Sequence, residues 1–191
     1  LMPNYTVGNT RGQRLGKADY VKYGYGQVEP NHLSEQRTGQ IWAQLPAKAD
    51  IELLENGQFA KYDYANGVVD FDGEGEWLMV FNEIKVYNDR DTDADFAMKK
   101  DSYVARVYSS NGTKMPADTT MVPRLIKVNV GDIWTTNTVK EETLAVGDKL
   151  TPGADGYLAK AGADAADYVI KVVKVYTMPD GQPGVKLQRI K

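Results

Sequence analysis

Paired turn residues recur along this chain and cut it into runs that suit strands far better than helices. Asn-Gly stands at 56–57, 66–67 and 111–112, and Asp-Gly at 72–73, 155–156 and 180–181. Asn and Gly tolerate the positive φ angles of tight turns, so such a dipeptide between β-prone runs predicts a hairpin. The runs between them are rich in Val, Ile, Tyr, Phe and Trp. Phe59, Tyr62 and Tyr64 form one, Val68 to Phe71 the next, and Trp77 to Phe81 the most apolar of all, continued by Ile84, Val86 and Tyr87. Tyr103 to Tyr108 follows. Then comes Leu125 to Val130, in which Leu125 faces away from Ile126, Val128 and Val130. Ile133 and Trp134 resume after the Gly131-Asp132 turn. Tyr168 to Tyr176 is long and β-branched, and Val185, Leu187 and Ile190 close the chain. Amphipathic helical periodicity over ten residues is missing; residues 95–101 and 161–167 each suit a short turn of helix. The expectation is an all-β fold, a sandwich or barrel of short antiparallel strands.

Residues 1–40 differ from the rest. They are Gly-rich, polar and poor in Ile, Leu and Val, which predicts an extended N-terminal arm. Tyr5, Tyr20, Tyr23 and Tyr25 lie on it. Tyrosine offers a large contact area with a polar tip, so these four are the candidate partner-binding residues. The alternative is that the arm packs back on its own domain as an edge strand. Residues 41–191 are then the β domain, with a possible subdivision near residue 120, where 115–120 lack periodicity.

Several function classes are excluded or disfavoured. Cysteine is absent, which removes disulfides, thiolate metal sites and cysteine nucleophiles. No stretch approaches the roughly 20 apolar residues of a membrane-spanning helix, and the first residues lack a signal-peptide pattern, so a soluble chain is expected. The net charge of −3 is unevenly spread: residues 50–101 carry five basic and fourteen acidic side chains. That acidic middle disfavours a nucleic-acid-binding face. It suits either a basic partner surface or simple solubility.

Two segments share a phrase. Ile51 to Tyr62, continued by Asn66-Gly67, and Leu144 to Lys160 each have an apolar entry, a Gly turn, an apolar exit and an Asn-Gly or Asp-Gly hairpin. The second, Gly147-Asp148-Lys149-Leu150 followed by Ala154-Asp155-Gly156-Tyr157-Leu158-Ala159-Lys160, resembles the turn-strand-hairpin phrase of tailed-bacteriophage capsid decoration (cement) and head-fibre-type proteins. The hairpin at Tyr176–Val185 and the strand ending at Ile190 fit the same pattern. The resemblance covers 140–191 best, 41–90 loosely, and the arm not at all. It implies a virion protein of the capsid surface, assembled in the host cytoplasm. Its partners would be the major capsid protein and further copies of itself. No enzymatic residues and no cofactor come with it. A tail or head-fibre component is an alternative, as is a carbohydrate-binding β-sandwich; a glycoside-active enzyme is more distant.

Residues that could carry chemistry are few. Asp89, Asp91, Asp93 and Asp95 alternate as in a calcium loop, because hard cations favour several carboxylate oxygens. Ala94 stands where that loop needs Gly, and Lys100 where it needs Glu, so a solvated acidic turn is the better expectation. His32 is the sole histidine. A general base would need a carboxylate partner, and Glu29 and Glu35 are near in sequence, yet an exposed or interface histidine is expected. Gly73-Glu74-Gly75-Glu76 lacks the Lys and helix of a phosphate loop. Trp42, Trp77 and Trp134 are expected in the core. Two of them exposed in one groove would instead indicate carbohydrate binding.

Overall fold

The structure is a computed structural model, which describes residues 26–35, 41–82, 97–99, 121–140, 143–179 and 181–191. The fold is all-β. One sheet has six strands in the order β1 (Val28–His32), β9 (Ile133–Thr136), β13 (Pro183–Arg189), β12 (Ile170–Thr177), β10 (Lys149–Pro152) and β11 (Leu158–Ala159). A second has five, β2 (Ile41–Trp42), β8 (Leu125–Ile126), β6 (Leu78–Val80), β4 (Phe59–Asp63) and β5 (Val68–Asp70). β3 (Leu53–Glu55) and β7 (Ala97–Lys99) form a short pair. Neighbouring strands are antiparallel throughout.

Strand alternation decides the layering. Phe59, Met79 and Ile126 point from the five-stranded sheet toward the six-stranded one, where they pack with Trp134, Leu150, Ile170, Val172, Val185 and Leu187. Their neighbours Ala60, Leu78, Val80 and Leu125 point the other way, onto Ala47, Ile51, Leu54 and Met121. A two-residue period places each successive side chain on the opposite face. The five-stranded sheet is therefore buried on both sides, which explains why Leu78-Met79-Val80 is a continuous apolar run rather than an alternating one. Leu125 separates from Ile126 and Val128 as expected, whereas Val130 is exposed because the chain has already reached the turn at Gly131.

The six-stranded sheet curls. Val139, three residues after β9, makes a parallel bridge to Leu158 of β11, and the Lys140 N–H donates to the Leu158 carbonyl at 2.9 Å. The second strand of the sheet thus continues around to its last one.

Both sheets draw strands from either side of residue 120, so no division of the domain falls there. β1 shows residues 28–32 paired with β9, and Leu33 is buried in the inter-sheet core. Over these residues the segment expected as an arm packs back as an edge strand. The helical turn expected over 95–101 gives way at 97–99 to β7, paired with β3. A single helical turn is costly to nucleate, and the free backbone of β3 offers a ladder instead. At 161–167 the chain makes successive turns, with Ala163 N–H to Lys160 O and Ala165 N–H to Gly162 O. Gly162 has φ +77°, which no α-helix accommodates.

Candidate functional site

The two related phrases of the sequence meet in space. The turn after β3 lies against the turn between β10 and β11. The Phe59 N–H donates to Gly156 O at 2.7 Å, the Gln58 side-chain amide to Asp155 O at 2.7 Å, and the Tyr157 hydroxyl to Glu55 Oε2 at 3.0 Å. Glu55, Asn56 and Gln58 are all buried. Buried polar groups at this junction are therefore bonded across the two sheets, which gives the contact a fixed register.

This junction floors a cleft of about 380 Å³ whose wall carries Asp50, Glu52, Asp70 and Asp155 with Phe71 and Tyr157. Lys48 Nζ bonds Asp70 at 2.6 Å and Lys140 Nζ bonds Asp155 at 2.8 Å. The hydrogen bond and charge of Asp70 hold the Lys48 ammonium above its ordinary pKa. Lysine pairing makes the cleft a partly neutralised acidic surface. Among the described residues no group of three His, Asp or Glu side chains is placed to hold a metal ion.

A second concavity, about 320 Å³, opens beside the end of β4 between Gln44, Tyr62, Tyr64, Gly75, Glu76 and Leu78. Tyr62 and Tyr64, two apart at the end of β4, share a face, with ring centroids 5.5 Å apart and planes tilted by 33°. Tyr64 is 69% exposed. The Tyr62 hydroxyl is sealed from solvent and its proton has no acceptor. Burial raises the Tyr62 pKa, and the backbone N–H of Gln44, facing the oxygen, partly opposes the rise. Glu76 Oε1 accepts from Lys127 Nζ at 2.9 Å. Gly73 and Gly75 let their segment cross Tyr62 closely: added Cβ atoms would lie 2.8 and 3.2 Å from Tyr62 O. These glycines serve a backbone crossing, which accounts for the Gly-Glu-Gly-Glu run without a phosphate.

A third feature is a latch. Asp132, buried at the turn before β9, accepts from Ser34 N–H and Asn129 N–H at 3.1 and 2.9 Å, and from Ser34 Oγ at 3.1 Å. Asn129 Nδ2 also reaches Ser34 Oγ and Glu35 Oε1. Further along β9, Thr136 Oγ1 donates to Gln27 O, and Asn137 Oδ1 accepts from the Gln27 N–H. Residues 27–35 are thereby fixed at both ends.

His32 is exposed on β1. Its neighbours in sequence are engaged elsewhere: Glu29 accepts from the Tyr176 hydroxyl and Glu35 from Asn129. Trp134 is fully buried, as expected. Trp77 is half-buried with Lys61 Nζ 4.5 Å above its ring, and the Trp42 side chain lies outside the description. Tyr5, Tyr20, Tyr23 and Tyr25 lie outside the described residues, as do Asp89, Asp91, Asp93 and Asp95. Sequence reasoning passed over Asp132 and the Tyr62–Tyr64 pair. The signal for the pair was its two-residue spacing, which shares a face on any strand.

Compared with known proteins, the chain matches no family model, no curated protein and no solved structure.

Proposed function

We propose that this protein is a non-enzymatic structural component of a virion, which binds and stabilises the major capsid protein lattice of a tailed phage. The observation that carries the reading is how three of the described sheet edges, β1, β5 and β11, are finished. β1 contains Pro30, which has no N–H, and its register slips between Glu29 and His32. β5 is covered by the 46–48 segment, through Val69 N–H to Pro46 O and Lys48 N–H to Val69 O. β11 is bridged by Val139. Bulges, prolines and covered edges prevent indiscriminate strand pairing. A body finished in this way stays dispersed at high concentration and docks through dedicated contacts. Residues 1–25 precede β1 in sequence and carry four tyrosines, and on this reading they are the segment that binds a neighbouring subunit. The resemblance of 144–160 to decoration proteins supports the same reading.

The test is co-sedimentation of the purified chain with phage heads that lack it, followed by electron cryo-microscopy of the decorated shell. The expected result is saturable binding at symmetric positions, lost when residues 1–25 are removed. Absence of binding to any capsid lattice, with the chain folded, rules the proposal out.

A further inference from the structure

The concavity beside Tyr64 has a chemistry of its own, independent of shell docking. Its exposed aromatic face invites a ligand with a flat apolar surface. Gln44 and Glu76 line its polar rim, where a glutamine can donate and accept and a carboxylate accepts, and the Tyr62 hydroxyl lies sealed beneath them. The one charge in that rim is already matched, since Glu76 is paired with Lys127. A site with a bare aromatic face, hydrogen-bonding groups around it and no unmatched charge selects a neutral, hydroxyl-rich ring over an ion or a charged peptide. Its volume, about 320 Å³, lies at the small end for ligand pockets and suits a single sugar ring.

The base of the site supports this choice. Tyr62 is almost fully buried within the outer core, yet its hydroxyl lacks an acceptor. Buried donors are rarely left this way, because an unmade hydrogen bond costs about 1–3 kcal/mol. A ligand hydroxyl entering between Gln44 and Glu76 would supply the missing acceptor after a small shift of the rim. Gly75 lines the site, and its backbone crosses Tyr62 so closely that an added Cβ would lie 3.2 Å from Tyr62 O.

We infer that Tyr64, Tyr62, Gln44 and Glu76 form a binding site for a neutral hexose unit, stacked on the Tyr64 ring. Such a site would let the protein contact glycans beside the end of β4, where Tyr64 leaves the buried sheet and reaches solvent.

The probe is a panel of methyl hexosides, offered to the full chain and followed by saturation-transfer NMR and by chemical-shift titration. At least one hexoside is expected to bind, with shifts centred on residues 44, 62–64 and 75–78. Tyr64→Ala should weaken Kd by about tenfold, the size of one aromatic contact, while Tyr64→Phe keeps the stacking and most of the affinity. Because Tyr64 is exposed, both variants should melt like the parent. The inference is overturned if no hexoside binds, if Tyr64→Ala leaves Kd unchanged, or if the shifts arise elsewhere. Binding of a proline-rich peptide at Tyr64 in place of every sugar would overturn it as well. Shell binding by the Tyr64→Ala variant tests the capsid reading separately.

Discussion

Phe59 and Gly156 touch backbone to backbone: the Phe59 N–H donates to Gly156 O at 2.7 Å, and a Cβ on Gly156 would sit 2.0 Å from Phe59 O. Gly156 also has φ +75° and lies under the Phe71 ring. An added methyl would separate the two sheets at the point where their turns interlock. Gly156→Ala is expected to cost more than about 3 kcal/mol. Gly67→Ala, with φ +69° and nothing within 4 Å, should cost about 1 kcal/mol from backbone strain alone. Urea denaturation of both variants checks the contrast. Equal losses would mean that close approach at Gly156 does not matter.

The segment 26–35 belongs to the folded body, because β1 pairs with β9 and Leu33 is buried. Removing residues 1–25 should leave the thermal midpoint nearly unchanged. Removing 1–35 should lower it steeply, and Leu33→Ala alone should cost about 3 kcal/mol. Differential scanning calorimetry distinguishes these outcomes. A large drop on removing only 1–25 would show that those residues contribute to the core.

How much of this was readable in advance depends on range. The Asn56-Gly57 and Asn66-Gly67 turns form with Gly φ of +90° and +69°, as their dipeptides require. Trp77 to Phe81 yields β6, and the long β-branched run yields β12 paired with β13. These features follow from residues a few positions apart. The order of strands does not. β13 lies between β9 and β12, and β1 reaches β9 across more than one hundred residues. Neither pairing has a local signature. The junction of Gln58 with Asp155 was hidden for the same reason, although the shared phrase marked both of its halves. At 97–99, long-range pairing with β3 overrode the local preference.

Asp132 replaces solvent for three donors at once: Ser34 N–H, Ser34 Oγ and Asn129 N–H. Asp132→Ala would strand two half-buried backbone donors, Ser34 N–H and Asn129 N–H, at about 1–3 kcal/mol. The same change should raise amide hydrogen exchange at 33–35 and 129–136 before it does so in β12 and β13. Uniform acceleration across the whole protein would argue against a local latch.

Acid should weaken two turns. Hydrogen bonds from Asn66 hold the Asp63 carboxyl below its usual pKa, and Lys160, then the Ala145 N–H, do the same for Asp148. A carboxyl with a depressed folded pKa adds stability above its unfolded value near 3.8, and that stability is lost as pH falls through the folded value. Stability should therefore decline below about pH 4. Asp63→Asn should flatten that decline, as read from urea midpoints between pH 2 and 6. An unchanged slope in this variant would remove Asp63 from the account.

Alkali acts through Tyr168. Its ring is buried against Phe59 at 5.6 Å, and Arg189 stacks 3.9 Å above it. Burial pushes the hydroxyl pKa well above the ordinary value of 10, with the Arg189 charge opposing only part of that rise. Between those two values the unfolded chain releases its proton while the folded chain retains it. The unfolded state then binds fewer protons, so stability falls with rising pH. The contribution is complete below pH 10 and drains away above it. Tyr168→Phe keeps the ring contacts and removes the titrating group. Its stability at pH 7 should stay within about 1 kcal/mol of the parent, because the hydroxyl is buried without an acceptor. Above pH 10 the variant should lose stability more slowly than the parent. Urea midpoints measured from pH 7 to pH 11 decide it: parallel curves for the two proteins would mean that Tyr168 ionises as freely in the folded state as in the unfolded one.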